Sequence, residues 1–216
     1  AVLDAHADPA RGPEEHTEAA QLQRAVHEVL GTMGAQDLDT LLGLIVERKS
    51  GQDFYAYVQE HIFAPAGMSH TGYPIRGGDA TSARSYNPVM DAGVVAIGRH
   101  DLITLGARGS SAGGASATVG DVLAFDSALR RGLLVSPETL GQMRAMQSRS
   151  DSPSYGYGYG FIVEGDHYGH GGSAPGTQFE FQRFEDQDIS YVVASNFNTI
   201  AGPEIASLLN RVIGGE

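Results

Sequence analysis

The chain contains no cysteine and a single lysine, Lys49; its other cations are arginines. The first absence excludes a disulfide framework, a thiolate nucleophile and a cysteine-based zinc site, and it leaves the redox compartment open. Cations are few altogether. A net charge of −12 and a sequence pI near 5.0 argue against a nucleic-acid groove or an anionic membrane surface, either of which wants clustered Lys and Arg. No apolar run approaches the roughly 18 to 20 residues that span a bilayer, and residues 1–12 lack the hydrophobic segment of a signal peptide. As it stands the chain reads as soluble. It begins with Ala1, which suits a processed product, a trimmed chain or a fragment alike. There is no internal repeat and no coiled-coil heptad. What is present is a chain of 216 residues, 41% hydrophobic, enough to close the core of one large domain or two small lobes.

Residues 1–12 read as a flexible lead-in, and residues 13–216 as one domain, mainly helix and loop to residue 150 and then antiparallel strands with a final helix. Leu22, Val26, Val29, Leu30 and Met33 form one stripe of a predicted helix that begins at Pro13 and stops before Gly34. Asp39 or Thr40 can cap a second helix that runs to Ser50-Gly51, and a third is predicted over 53–63, ended by Pro65 and Gly67. Residues 68–113 run long and irregular, with Ser85-Tyr86-Asn87-Pro88 read as a turn. Thr118 caps a helix closed by Gly132, and Ser136-Pro137-Glu138 opens a short one. From Tyr155 the period changes to 2, and strands are predicted over 167–171, 178–184 and 189–195. Short links between them imply a meander. Pro203 starts a last helix whose Ile205, Leu208, Leu209, Val212 and Ile213 would cover the sheet.

The segment Tyr168-Gly169-His170-Gly171-Gly172-Ser173-Ala174-Pro175-Gly176 carries the most chemistry. A glycine-lined strand lets a substrate carbonyl lie against backbone N–H groups, and a side chain at its head, His170, can reach the polar end of a ligand. Taken in order, Leu41-Leu42-Gly43, Ser50-Gly51-Gln52, His61-Ile62-Phe63, Pro65-Ala66-Gly67-Met68, Thr71-Gly72-Tyr73, Ser111-Ala112-Gly113-Gly114 and Gly156 to Phe161, followed by Tyr168-Gly169-His170-Gly171-Gly172, resemble the serine β-lactamase superfamily. The branch is that of class C β-lactamases, D-alanyl-D-alanine peptidases and related esterases. The resemblance covers residues 41–197. It implies an α+β, β-lactamase-like fold reduced at its N-terminal side, with acyl transfer between a helical lobe and an antiparallel sheet. It also implies that His170-Gly171-Gly172 matches the family's third motif, elsewhere often Lys-Thr-Gly, on an inner edge strand. The backbone N–H of Ser173 would then supply half of an oxyanion hole.

The chain departs from that pattern twice. The family's nucleophile is the serine of Ser-x-x-Lys, whose lysine takes the serine proton from one turn on; only Lys49 is available, and the position three before it is Val46. The Tyr-x-Asn motif should precede Leu41, where the chain reads Gly34-Ala35-Gln36. No nucleophile or base is identified, so the expectation is a serine hydrolase acting on an ester, amide or lactam that is incomplete or inactive as this chain alone. The alternative is a binding relative or interaction module that uses the retained wall and an exposed sheet edge. Without the family's early strands the sheet would offer that edge to a second copy or a complementing chain. The implied ligand is a small acyl compound; no cofactor, metal or nucleic acid is indicated, and a periplasmic or secreted site would fit the family.

Plainer readings stand beside these. His170 would either orient a substrate carboxylate or shuttle a proton, or simply end a strand with a hydrogen bond. His167 and His170 alternate to opposite faces, which disfavours a shared metal. Ser110-Ser111 beside Gly113-Gly114 reads as a turn, Tyr155, Tyr157 and Tyr159 as cross-strand packing or a substitute phenolic base. Glu47, Arg48, Lys49, Arg130 and Arg131 read as solvated faces.

Overall fold

The structure, a computed structural model, describes residues 35–75, 83–91, 94–100, 108–149, 155–197 and 200–215. The lead-in, the helix predicted over 13–33 and Gly34 lie outside the described residues. The first described helix, α1 (Ala35–Ser50), already includes Asp39 and Thr40. Neither caps it, because Ala35, Gln36 and Leu38 are good helix formers that carry the helix further upstream. Gly51, at φ 72°, ends it as predicted. The Asp53 carboxylate accepts the amides of Tyr55 and Ala56 and so starts α2 (Phe54–Val58). That helix continues through one π turn, Gln59–Phe63, into α3 (Ala64–Ala66). Pro65 sits inside this last turn, where its ring is tolerated near a helix start, and Gly67 at φ 73° is the actual stop.

The long irregular stretch holds a hairpin, β1 (Ser85–Asp91) with β2 (Val94–His100), paired residue for residue. Ser85-Tyr86-Asn87-Pro88 is therefore strand and not turn. A two-stranded ribbon leaves alternate amides unpaired, so Pro88 can sit in it without losing a ladder bond. The hairpin touches the main sheet where the Tyr86 amide donates to the Asn196 carbonyl (2.9 Å). Helices α4 (Val119–Arg130) and α5 (Pro137–Arg144) start where predicted: Thr118 Oγ1 accepts the Asp121 amide (3.0 Å) and Ser136 Oγ the Thr139 amide (3.1 Å).

Six strands then form one antiparallel meander: β3 (Ser148–Arg149), β4 (Tyr155–Tyr157), β5 (Ile162–Glu164), β6 (His167–Ala174), β7 (Thr177–Phe184) and β8 (Ile189–Ser195). Register puts Tyr168, His170 and Gly172 on one face with Arg183, Phe181 and Phe179. That face meets α4 and α5 in a core of Leu129, Leu140, Phe161, Tyr168 and Phe181. Each such apolar side chain contributes about 1.5–3 kcal/mol by leaving water. A polar tie crosses the same interface: the carboxylate of Asp126, 1% exposed, accepts from Arg130 Nε (3.0 Å) and Ser190 Oγ (2.8 Å). Arg130 is exposed, as read from the sequence, and also braces the Asp126 carboxylate from the next turn of its own helix.

The opposite face is covered by α6 (Ala201–Gly214). Tyr191 Oη donates to Asn210 Oδ1 (2.6 Å), and Gly202 and Ala206 are buried. Only part of the predicted stripe faces inward. Ile205, Leu208 and Val212 are 49%, 51% and 66% exposed, because small residues at 202 and 206 bring the adjacent face of the helix onto the sheet.

The two halves of the helical part are joined at Asp121. Its Oδ2 accepts the His70 amide and the Thr71 hydroxyl, each at 2.8 Å. Burial alone would raise its pKa, but the bonds from Thr71 and the His70 amide outweigh it and hold the carboxyl below its usual value. Losing both bonds in Asp121→Ala should destabilise by about 2–3 kcal/mol. A folded value below the unfolded one means this stability is present above about pH 4 and is lost as pH falls through the lowered value. Urea midpoints of the parent and the variant should therefore converge on acidification.

Candidate acyl-binding wall

Strand β6 pairs along its whole length with β7, but only His167, Tyr168 and Gly169 pair with β5. The motif was expected on an edge strand. Instead β6 lies inside the sheet order and is an edge only from His170 onward, because β4 and β5 are three residues each. The chain is drawn away at Gly158-Tyr159-Gly160, where the Gly158 amide donates to the Phe161 carbonyl (2.8 Å) and Gly160 turns at φ 81°. Among the described residues, no strand lies against His170 to Ala174 on that side.

His170, Gly172 and Ser173 are exposed and Gly171 is half-buried. The His170 ring is held on both sides: Nε2 lies 2.8 Å from Tyr157 Oη and Nδ1 2.6 Å from the Gly171 carbonyl oxygen. The two rings meet edge to face, 5.7 Å between centroids. Behind Gly171 lies Glu180, whose carboxylate a methyl group at position 171 would strike; Gln182 Nε2 donates to its Oε1 (2.5 Å). A methyl at Gly172 would meet nothing within 4 Å, so this strand presents open space and main chain.

Tyr157 is the residue that sequence reasoning underrated. Register alone did not announce it: Tyr157 pairs with Ile162 and Ile162 with Gly169, one residue short of His170, and the phenol reaches the His170 ring at the end of β4 where the sheet opens. The side chain of Tyr155 lies outside the described residues, and Tyr159 is in the turn after β4.

The remaining candidates do not gather here. Lys49 is exposed on the last turn of α1, with Val46 half-buried three residues before it; Arg48 and Arg131 are exposed as well. Glu47 is not simply solvated, since its Oε1 accepts the Phe54 amide (2.9 Å). Ser110 and Gly113 exchange backbone hydrogen bonds in a tight turn. Ser69, His70 and Asp121 come close, but Ser69 Oγ (3.0 Å) and Asp121 Oδ1 (3.9 Å) approach the same ring nitrogen, Nδ1. A relay needs them on opposite nitrogens. His167 stacks on Phe184 at 4.5 Å and pairs with Asp166, on the other face from His170, and no cluster of three metal-ligating side chains occurs among the described residues. The nearby Tyr168 phenol is pushed above its ordinary value by burial and then by the Asp126 charge, so it stays protonated. No helix among the described residues is long and apolar enough to cross a membrane.

An antiparallel meander with helices on both faces and a glycine-lined strand open from His170 onward is a β-lactamase-like α+β architecture. Residues 37–211 match the Beta-lactamase family, and the chain belongs to it. Among solved structures it is similar to a penicillin binding protein from Bacillus halodurans: 26% identity, TM-score 0.73, 80% of this chain and 53% of that one. It is also similar to the octameric penicillin-binding protein homologue from Pyrococcus abyssi, with 22% identity, TM-score 0.69, 82% of this chain and 41% of that one. A third is the D-amino acid amidase from Ochrobactrum anthropi SV3, complexed with L-phenylalanine amide, with 22% identity, TM-score 0.62, 81% of this chain and 54% of that one. No curated protein is similar enough to count as a relative. The chain spans about half the length of the solved relatives it matches.

Proposed function

We propose that the chain supplies the receiving wall of a serine-hydrolase-type acyl-transfer site, with the attacking hydroxyl and its amine provided by other polypeptide. The observation that carries this reading is the open half of β6: His170 heads a strand of Gly171, Gly172 and Ser173 that has no neighbour on one side among the described residues. The main-chain N–H of Ser173 is the donor assigned to a developing oxyanion. The substrate class is an ester, amide or lactam carbonyl, in line with neighbours named as penicillin-binding proteins and amidases. The test is a nitrogen-edited proton NMR titration with a penicillin methyl ester or an amino-acid amide. The backbone amides of residues 170–173 should move first and furthest; if they stay fixed while others shift, the wall is elsewhere.

The missing part would enter beside β8. Along Ile189–Ser195 that strand pairs only with β7 among the described residues, and Ile205, Leu208 and Val212 of the neighbouring α6 lie exposed. Among the described residues this is an uncharged edge with no second strand beside an apolar stripe, a template for a further strand and helix. A net charge of −12 disfavours a second copy at this surface and favours a complementing polypeptide. Binding of such a polypeptide should protect the β8 amides from hydrogen exchange. A dimer of this chain alone, broken by Leu208→Glu, would overturn that choice of partner.

A further inference from the structure

A carbonyl oxygen accepts hydrogen bonds and cannot donate them. The Gly171 oxygen, 2.6 Å from His170 Nδ1, therefore requires the hydrogen of the neutral ring to sit on Nδ1. Nε2 is then a lone pair, and the group 2.8 Å from it, the Tyr157 hydroxyl, must be its donor. Both ring nitrogens are engaged, one by main chain on β6 and one by a phenol on β4. The only N–H of the neutral ring is spent on the protein itself, so His170 has none to offer a ligand carboxylate.

The surroundings act in the same sense. Glu180 lies directly behind Gly171, with one oxygen accepting from Gln182, so a carboxylate stands under the strand that would cradle the ligand. An anionic ligand would meet a negative charge with no imidazole N–H to offset it.

We propose that Tyr157 is a positioning residue that locks His170 as the Nδ1–H tautomer, and that the wall in consequence takes neutral or cationic acyl derivatives, amides or esters, in preference to carboxylates. This rests on the acyl-site reading above and sharpens it by reversing one expectation from sequence, that His170 orients a carboxylate.

Two measurements separate the parts. Long-range proton–nitrogen correlation on chain labelled at histidine, recorded at about pH 8.5 and thus above the ordinary histidine range, reports which nitrogen carries the hydrogen; His170→Gln assigns the signal. The expected result is an Nδ1–H pattern for His170, with a mixed pattern in Tyr157→Phe whose fold is unchanged by circular dichroism. An Nε2–H pattern in the parent, or an unchanged ratio in Tyr157→Phe, overturns the positioning role, and neither result depends on any ligand. The same signal is then followed during titration with D-phenylalanine amide and with D-phenylalanine. The amide should bind at least about tenfold more tightly, and Tyr157→Phe should narrow that ratio. Equal or tighter binding of the acid, or no response to either compound, overturns the substrate preference. In the no-response case, an unmoved set of amides at 170–173 with an uncharged acyl compound, a penicillin methyl ester, as well shows that the acyl-site reading has failed along with it.

Discussion

Phe184→Ala should destabilise the chain by about 3–5 kcal/mol, a lowering of the thermal midpoint on the order of 10 °C for a chain of this size. Among the described residues, Phe184 is the largest side chain that is almost wholly enclosed, 1% exposed. It stacks on His167 at 4.5 Å and on Tyr191 at 6.4 Å, so truncation removes the filling between β6, β8 and the helix below them. The surrounding main chain is held in ladders on both sides and cannot collapse into the cavity. Calorimetry or urea unfolding reads the effect. A loss under 1 kcal/mol would mean that this face of the sheet is not packed as described.

Gly169→Ala should be nearly as damaging, at about 3 kcal/mol, for the opposite reason. A methyl group there would fall inside contact distance of the Phe181 carbonyl, and 2.6 Å from Gln182 Oε1. The first obstacle is main chain in the adjacent strand, so relief requires the two strands to part. Gly169 is also the last residue of β6 paired to β5, where the sheet opens to expose His170, and any parting there displaces the wall itself. Gly172→Ala is the internal control, with open space at that position. Urea midpoints should fall steeply for the first and stay within about 0.5 kcal/mol for the second; a reversed order would place the close approach elsewhere on the strand.

Much of this architecture was legible because local signals and tertiary packing agree. Thr118 and Ser136 are small hydroxyl residues ahead of apolar runs, and each caps the helix it announces. The period of 2 after Tyr155, broken by Gly165, Gly176 and the turn at Asp188, delivers the meander in register; Asp188 itself adopts φ 53°, held by its ion pair with Arg183. The hairpin at Ser85–His100 was hidden because Asn87-Pro88 is turn chemistry in isolation, and only its partner strand explains the extended conformation. The exposed side of α6 could not be told from its buried side by hydrophobicity alone. The choice is made by Gly202 and Ala206, which are small enough to touch the sheet.

The site divides in the same manner. His170-Gly171-Gly172 is readable as a motif because three adjacent residues carry it. Tyr157 is not, since its relation to His170 depends on two strand reversals and on β5 being short enough to leave the ring uncovered. The absent Ser-x-x-Lys was readable for an elementary reason: a chain whose only lysine follows Val46 by three residues cannot contain that motif.

The most direct measurement is intact-mass analysis after incubation with a fluorophosphonate, for this chain alone and for the chain mixed with a polypeptide that carries the family's Ser-x-x-Lys motif. The account predicts an unmodified mass for this chain in both samples, with the adduct confined to the added polypeptide and formed faster in the mixture. A stoichiometric adduct on a serine of this chain alone would contradict it.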